Sequence, residues 1–333
     1  MKAAVLTQVK ENIEVQEVPT PEPKPGELLI KLQAAALNRR DWWIQQDKYG
    51  RIKLPCILGS DGAGVVEAVG KGVDRSWKGE PVVINPGLQW GDEPAAFGPT
   101  FRVLGMPDPG TFAEYISIPL DHVYPQPGHL TPVEAAALPL AGLTAYRALF
   151  SRAKIKAKEK ILITGIGGGV SLMAAQLAVA KRAEVWVTSG DQEKLGKAQK
   201  MGVKGGVNYR DPDWAQQLKD KAGAFDVILD SAGGETFSQL IDLAKPGGRI
   251  AVYGATMGNY PPILPAKVFW KQVSILGSTM GSGEEFAEML AFVEDHLIRP
   301  VVDRIFSLEN IQEAFDHIGA GKQMGKVVIT VDG

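Results

Sequence analysis

The sequence predicts an α/β protein in which a doubly wound parallel sheet follows an irregular, β-rich domain, and three observations carry that prediction. From Glu159 to Ser278 strand-like and helix-like segments alternate in a steady rhythm, the pattern of a parallel sheet with helices on both faces. The first part of the chain, roughly 125 residues, instead carries short β-rich runs punctuated by proline and glycine, as mostly antiparallel domains do. At 333 residues the chain exceeds what one hydrophobic core usually supports, so two domains are expected.

Taken in order, MKAAVLTQVKEN lacks the long apolar core of a signal peptide and reads as a first strand. The spaced prolines of PTPEPKPGE, Pro19 to Glu27, predict an extended edge connection. Leu28 to Leu37, Gly64 to Gly70, Pro81 to Ile84 and Phe112 to Ile118 are the β runs of the first domain. Six strands follow, near 161–164, 185–188, 206–208, 226–230, 249–253 and 274–278. A helix from Glu284 to His296 and a β run from Lys326 to Val331 close the chain. If this tail returns to the first domain, that domain is discontinuous, with residues 1–125 and 277–333 in one unit and 126–276 in the other. A cleft between the lobes is then the expected ligand site.

Bulk properties exclude several classes. The apolar fraction of 45% is that of an ordinary globular protein, and a net charge of −2 with interspersed signs leaves no footprint for nucleic acid or an anionic membrane. No apolar run approaches the roughly 20 residues of a membrane span. The single cysteine, Cys56, rules out an intramolecular disulfide or a multi-cysteine zinc cluster, and a reducing cytoplasm is the expected location.

The most informative stretch is KILITGIGGGVSLMAAQLAVAK, Lys160 to Lys181. Ile161, Leu162 and Ile163 form an apolar run suited to a buried parallel strand. Gly165, Gly167, Gly168 and Gly169 let backbone approach an anion without Cβ clashes. Val170, Met173, Ala174, Leu177 and Ala178 then recur on one helix face, with the helix N-terminus directed back at the turn. A strict GxGxxG is not met: the third position falls on Val170, and the last glycine of a GGxG variant is Ser171. The arrangement predicts a pyrophosphate site, and an ordinary tight turn is the competing reading.

About 20 residues past such a turn, an NAD site carries an acid at the end of the next strand. Here EVWVT, Glu184 to Thr188, is followed by Ser189 and Gly190. A carboxylate beside a 2′-phosphate costs roughly 1–4 kcal/mol per close charge pair, so the uncharged serine favours NADP(H). Lys194, Tyr209 and Arg210 complete the expected phosphate pocket. Against this stand Asp191 nearby and the reading of Lys194 and Arg210 as solvated surface charges.

With these parts in order, the chain resembles the medium-chain dehydrogenase/reductases, and within them the zinc-free, quinone oxidoreductase-like branch. The markers are GSDGAGVVEAVG (Gly59 to Gly70), GEPVV (Gly79 to Val83), GTFAEY (Gly110 to Tyr115), ALPLAGLTAYRAL (Ala137 to Leu149), the glycine turn, FDVILDSAGG (Phe225 to Gly234), GGRIAVYG (Gly247 to Gly254) and MGKVVI (Met324 to Ile329). The resemblance covers the whole length and implies a GroES-like catalytic domain, a Rossmann domain and a nicotinamide cofactor.

In metal-dependent members of the superfamily, a cysteine, a His-Glu pair and a second cysteine surround a catalytic zinc. The matching residues here are Asn38, Ser60 with Asp61, and Leu140, of which Asp61 alone is a competent ligand. The segment Leu88 to Pro109, where relatives hold a structural zinc with four cysteines, contains none. His122, His129, His296 and His317 match no ligand pair and read as surface or loop histidines.

Without a Lewis acid, hydrogen bonds must stabilise charge developing on a substrate oxygen, which suits quinones and α,β-unsaturated carbonyls. Asn38, at the former metal position, is the expected donor, with a helix-capping or turn role as the alternative, and Tyr49 is the second choice. Thr144 matches the threonine that packs against the nicotinamide, or caps a helix. Gly254, Ala255, Leu276 and Gly277 match backbone lining that pocket. Trp42, Trp43, Tyr49 and Trp90 are candidate apolar walls or core residues. Arg39 and Arg40 are placed to reach cofactor phosphate, Arg40 alternatively to form a salt bridge. Asp41 and Lys326 match an acid and a base that help close the cofactor cleft in relatives, with an interdomain ion pair as the alternative. Asp61 reads as an acceptor of backbone N–H bonds or as a proton donor. Two further readings of function stand beside the reductase: a zinc-free carbonyl reductase or alcohol dehydrogenase, and a crystallin-like NADPH-binding protein without turnover. An apolar last strand, Val273 to Leu276, predicts pairing between copies if it lies at the sheet edge, hence a homodimer or homotetramer.

Overall fold

The computed structural model describes residues 1–331. The chain divides into two compact units, Met1–Leu143 with the chain from Gly281 onward, and Thr144–Met280.

In the second unit six parallel strands form one sheet in the spatial order Gly205–Asn208, Glu184–Ser189, Lys160–Ile163, Phe225–Asp230, Ala244–Val252, Ser274–Gly277. The strand order reverses beside Lys160–Ile163, the switch point at which doubly wound sheets bind ligands. Ile161, Leu162 and Ile163 are fully buried, as a central strand covered on both faces requires. Trp186, Trp214, Phe225, Phe237 and Ile250 fill a core on one side of the sheet. Ser274–Gly277 lies at the sheet edge, paired with Ala244–Val252 alone. Beside it in sequence, Phe269 and Trp270 are 60% and 77% exposed.

The first unit is built on a seven-stranded sheet around Glu27–Ala36, which pairs with Asp61–Val69, Tyr115–Pro119 and Lys326–Thr330. A smaller three-stranded sheet joins Glu14–Glu17, Lys2–Leu6 and Cys56–Ile57. Phe112 and Phe315 meet edge to face at 6.0 Å in its core. Segment 126–143, placed in the second domain from sequence, packs here instead: its helix Pro132–Ala136 lies against Glu27–Ala36 and Asp61–Val69. Conversely, Ser278 N–H bonds to Val252 O at 2.8 Å, extending the edge strand and keeping residues 277–280 with the second unit.

Among the elements the sequence reading did not include, two stand near the C-terminus. Strand Val302–Ser307 pairs in parallel with Lys326–Thr330; its exposed Arg304 and Ile305 break the alternation that marks strands. Helix Ile311–Gly319 buries Ile311, Ala314, Phe315 and Ile318, an i, i+3, i+4, i+7 pattern that was legible. No described helix is long and apolar enough to cross a membrane.

Candidate active site

The glycine turn joins the central strand to helix Gly169–Ala180. Gly165 has φ +66, a conformation that favours glycine, and its N–H donates to Thr188 Oγ1 at 3.1 Å. Ser171, standing where a further glycine was sought, closes the turn: its Oγ lies 2.7 Å from Gly165 O and 2.9 Å from Gly168 O. Gly169 and Val170 occupy the first helical turn, where N–H groups have no acceptor further back in the helix. With the helix dipole behind them, they form a site suited to a pyrophosphate.

Sequence reasoning gave no role to Asp230, at the end of the neighbouring strand. It is 1% exposed and accepts from Thr164 Oγ1 at 2.6 Å, Ala232 N at 3.2 Å and Gly233 N at 3.0 Å. The carboxylate thus ties the end of the central strand to the loop after Phe225–Asp230. Its signal was the DSAGG segment, noted there for resemblance alone.

Beyond Glu184–Ser189, Ser189 is 3% exposed and its Oγ accepts the Asp191 N–H at 3.1 Å. Gly190 is flanked closely: a Cβ there would lie 2.7 Å from Tyr209 Oη and 2.8 Å from Arg210 Nε. The structure therefore brings Gly190, Tyr209 and Arg210 together, while Lys194 stands half-buried on the next helix. Asp191 Oδ1 accepts the Glu193 N–H at 2.8 Å, so this acid caps helix Gln192–Lys200.

In the first unit a buried polar cluster forms where three strand ends meet. Asn38 precedes helix Arg39–Gln45, and its N–H donates to Asp41 Oδ2 at 2.8 Å. Its side chain turns elsewhere: Nδ2 donates to Asp61 Oδ2 at 2.9 Å, and Oδ1 accepts from Lys326 Nζ at 2.6 Å. Lys326 Nζ also donates to Asp61 Oδ2 at 2.8 Å, while Asp61 Oδ1 accepts the Leu140 N–H at 2.8 Å. Asn38, Lys326 and Asp61 are 8%, 4% and 0% exposed.

Asp41 completes the cluster. It is fully buried, and burial pushes its carboxyl up to about 6 against the opposing pull of Arg40, the Asn38 N–H and Lys326, with Asp61 adding to the rise. Its Oδ1 has no hydrogen-bond partner and lies 3.7 Å from Arg40 Nη1.

Two residues expected at the cofactor have other engagements. Arg40 is buried, donating to Ser60 Oγ and Leu104 O, both at 2.9 Å, with its guanidinium 5.3 Å from the Tyr49 ring. Of the two readings for Arg40, phosphate contact and a salt bridge, these partners and the Asp41 carboxylate 3.7 Å away fit the salt bridge, with residues Ser60, Leu104 and Met106 enclosing the guanidinium. Lys326 is likewise engaged, its ammonium held by Asn38 and Asp61. Arg39, only partly buried, donates to Ile318 O at 2.8 Å and stacks on Trp42 at 5.5 Å.

Thr144 lies inside helix Pro139–Tyr146 rather than at its start, with Oγ1 4.0 Å from Met280 Sδ. Gly254 and Ala255 follow strand Ala244–Val252, and Leu276 and Gly277 end the edge strand. Trp90 is core rather than wall: it meets Phe101 edge to face at 5.3 Å and Phe97 at 5.9 Å. Phe97 and Phe101 stack at 4.8 Å, and Arg102 pairs with Asp108 at 2.6 Å, so aromatic and ionic contacts order segment 88–109.

Residues 24–128 match the family model described as alcohol dehydrogenase GroES-like domain, and residues 169–295 match that of zinc-binding dehydrogenase. A zinc-type alcohol dehydrogenase-like protein of Leptosphaeria maculans is 36% identical over 99% of this chain and 98% of its own length. The chain is a medium-chain dehydrogenase/reductase. The quinone oxidoreductase of Homo sapiens is 31% identical to this dehydrogenase/reductase over 94% of the chain and 92% of its own length. Among solved structures, an NAD-dependent alcohol dehydrogenase superposes with a TM-score of 0.94 at 37% identity, covering 100% of both chains.

The zinc that many medium-chain dehydrogenase/reductases carry can be tested against these donors. Of the four matching positions, Asn38, Asp61 and Leu140 converge, presenting an amide, a carboxylate and a backbone N–H with the Lys326 ammonium among them, while the Ser60 hydroxyl turns to Arg40 and Leu104 O. Among the described residues no three His, Cys, Asp or Glu side chains gather as a metal site would require. Cys56 is buried, and burial pushes its thiol up to about 11, which disfavours a thiolate ligand. This donor set does not fit a zinc ion.

Proposed function

We propose that this protein is a zinc-independent oxidoreductase that reduces a quinone or an α,β-unsaturated carbonyl with NADPH. The observation that carries the reading is the cluster at the matching ligand positions, where Asn38 Nδ2 holds one N–H on Asp61 and retains a second. When bound, NADPH supplies the hydride. The turn around Gly165, Gly167, Gly168, Gly169 and Val170 would bind its pyrophosphate, and Ser189, Gly190, Lys194, Tyr209 and Arg210 the 2′-phosphate end. Asp191, whose Oδ1 caps the next helix, keeps its charge and remains the one acidic argument against NADP. Thr144, Gly254, Ala255, Leu276 and Gly277 would border the nicotinamide. The free Asn38 N–H would donate to the acceptor oxygen as charge develops there, in a desolvated setting that strengthens the bond.

A second reading, a zinc-free carbonyl reductase or alcohol dehydrogenase using NAD, draws on the names of the relatives. Steady-state rates with quinones, enals, ketones and alcohols, each with both cofactors and after prolonged chelation, separate the two. The proposal expects chelator-resistant NADPH oxidation by quinones or enals. Stoichiometric zinc whose removal abolishes turnover would overturn it. We further propose a cytoplasmic homodimer assembled along the edge strand Ser274–Gly277, where Ile275 is 40% exposed.

A further inference from the structure

We infer that Lys326 is a positioning residue that locks and polarises the Asn38 amide. The inference rests on the reading of Asn38 as the hydrogen-bond donor to substrate.

An asparagine side chain has two nearly isosteric ends, and its neighbours decide which faces where. Lys326 Nζ has hydrogens and no acceptor, so at 2.6 Å it holds the amide oxygen. Asp61 Oδ2 accepts, so at 2.9 Å it holds the amide nitrogen. A flipped amide would set its NH2 against the ammonium and its oxygen against the carboxylate, two repulsive contacts among buried groups. The third side of the triangle, Lys326 Nζ to Asp61 Oδ2 at 2.8 Å, keeps the two holders together.

The triangle is anchored to backbone. Asp61 opens strand Asp61–Val69 and Lys326 opens strand Lys326–Thr330, and both strands pair with Glu27–Ala36 just before Asn38. The Leu140 N–H fixes Asp61 Oδ1, and Thr111 Oγ1 donates to the Asp61 carbonyl at 2.8 Å. A cation on the carbonyl oxygen draws electron density from the amide nitrogen, making its remaining N–H a stronger donor. In a buried setting that effect is screened little.

Lys326→Met should lower kcat about tenfold, less than the ~10²-fold expected on removing the Asn38 donor itself, with the Kd for NADPH unchanged. In an Asn38→Ala background the same substitution should cause no further loss, because Lys326 acts through Asn38. Independent losses that multiply would overturn the inference. Should Lys326→Met fold poorly because Asp61 is left unpaired, Lys326→Met with Asp61→Asn removes both charges. That double variant should recover melting temperature without recovering kcat, and recovery of both would reduce Lys326 to a structural role.

A readout independent of turnover is the pair of side-chain amide proton resonances of Asn38 in 15N-labelled protein, assigned by their loss in Asn38→Ala. They should be widely separated in the wild type and collapse together in Lys326→Met. A pair that ignores Lys326→Met refutes the lock even if quinone reduction is established. A collapse with no quinone or enal turnover keeps the lock and refutes the proposed reaction.

Discussion

Asp41 offers a direct test of how the buried cluster is charged. Its carboxyl rises from an ordinary value of 3.8 to about 6, chiefly through burial. Each pKa unit corresponds to about 1.4 kcal/mol, so a rise of roughly two units is worth about 3 kcal/mol. Asp41→Asn keeps an acceptor for the Asn38 N–H and removes the titration. Well below the unfolded value of 3.8, folded and unfolded wild-type chains both carry the proton; between that value and about pH 6 the unfolded chain releases it and the folded chain largely does not. Wild-type stability therefore falls relative to the variant as pH rises, and the loss is complete above the folded value. Urea unfolding of both proteins at fixed ionic strength should show ΔG(wild type) − ΔG(variant) dropping by about 2–2.5 kcal/mol from pH 4 to pH 7. Groups such as Asp226 and Asp303 titrate in both proteins and cancel. A difference that stays flat, or that rises with pH, would refute the view that burial dominates at Asp41.

Other expectations concern cofactor, catalysis and assembly. Ser189→Asp should weaken NADPH binding at least tenfold, a loss of ~1.4 kcal/mol or more, while sparing NADH; tighter NADH than NADPH binding by the wild type at equal salt would defeat the serine argument. Asn38→Ala should lower kcat for an enone or quinone by ~10²-fold with NADPH affinity little changed. Should kcat/KM stay within about threefold of the wild type, Tyr49 becomes the candidate donor. Trp270→Glu with Ile275→Lys should convert a dimer to a monomer by light scattering at micromolar concentration. A monomeric wild type would exclude the proposed edge contact.

The architecture was legible because its signals are local. Ile161 to Ile163 declare a buried parallel strand, the glycines after them a tight turn, and the alternation from Glu159 to Ser278 a doubly wound sheet. The site was legible only in part. Asn38 was marked by position, but its partner Lys326 lies 288 residues away, and no periodicity relates two ends of a chain that meet through strand pairing. Between the two roles open to Arg40, cofactor phosphate or a salt bridge, sequence could not choose for the same reason: the oxygens of Ser60, Leu104 and Met106 that enclose it come from separate loops. Sequence shows that a residue is cationic; the partners that satisfy it are a property of the tertiary fold.

The aromatic cluster of segment 88–109 has a thermal consequence. A loop cross-linked by metal–sulfur bonds owes its order to coordination, whereas contacts among Trp90, Phe97 and Phe101 owe theirs largely to apolar burial, which weakens on cooling. Opening this segment exposes aromatic surface to water and so carries a positive heat-capacity change. The population of open segments is then lowest at an intermediate temperature and rises on either side of it. The loop's order is therefore sensitive to temperature and solvent composition, including denaturants and excluded osmolytes.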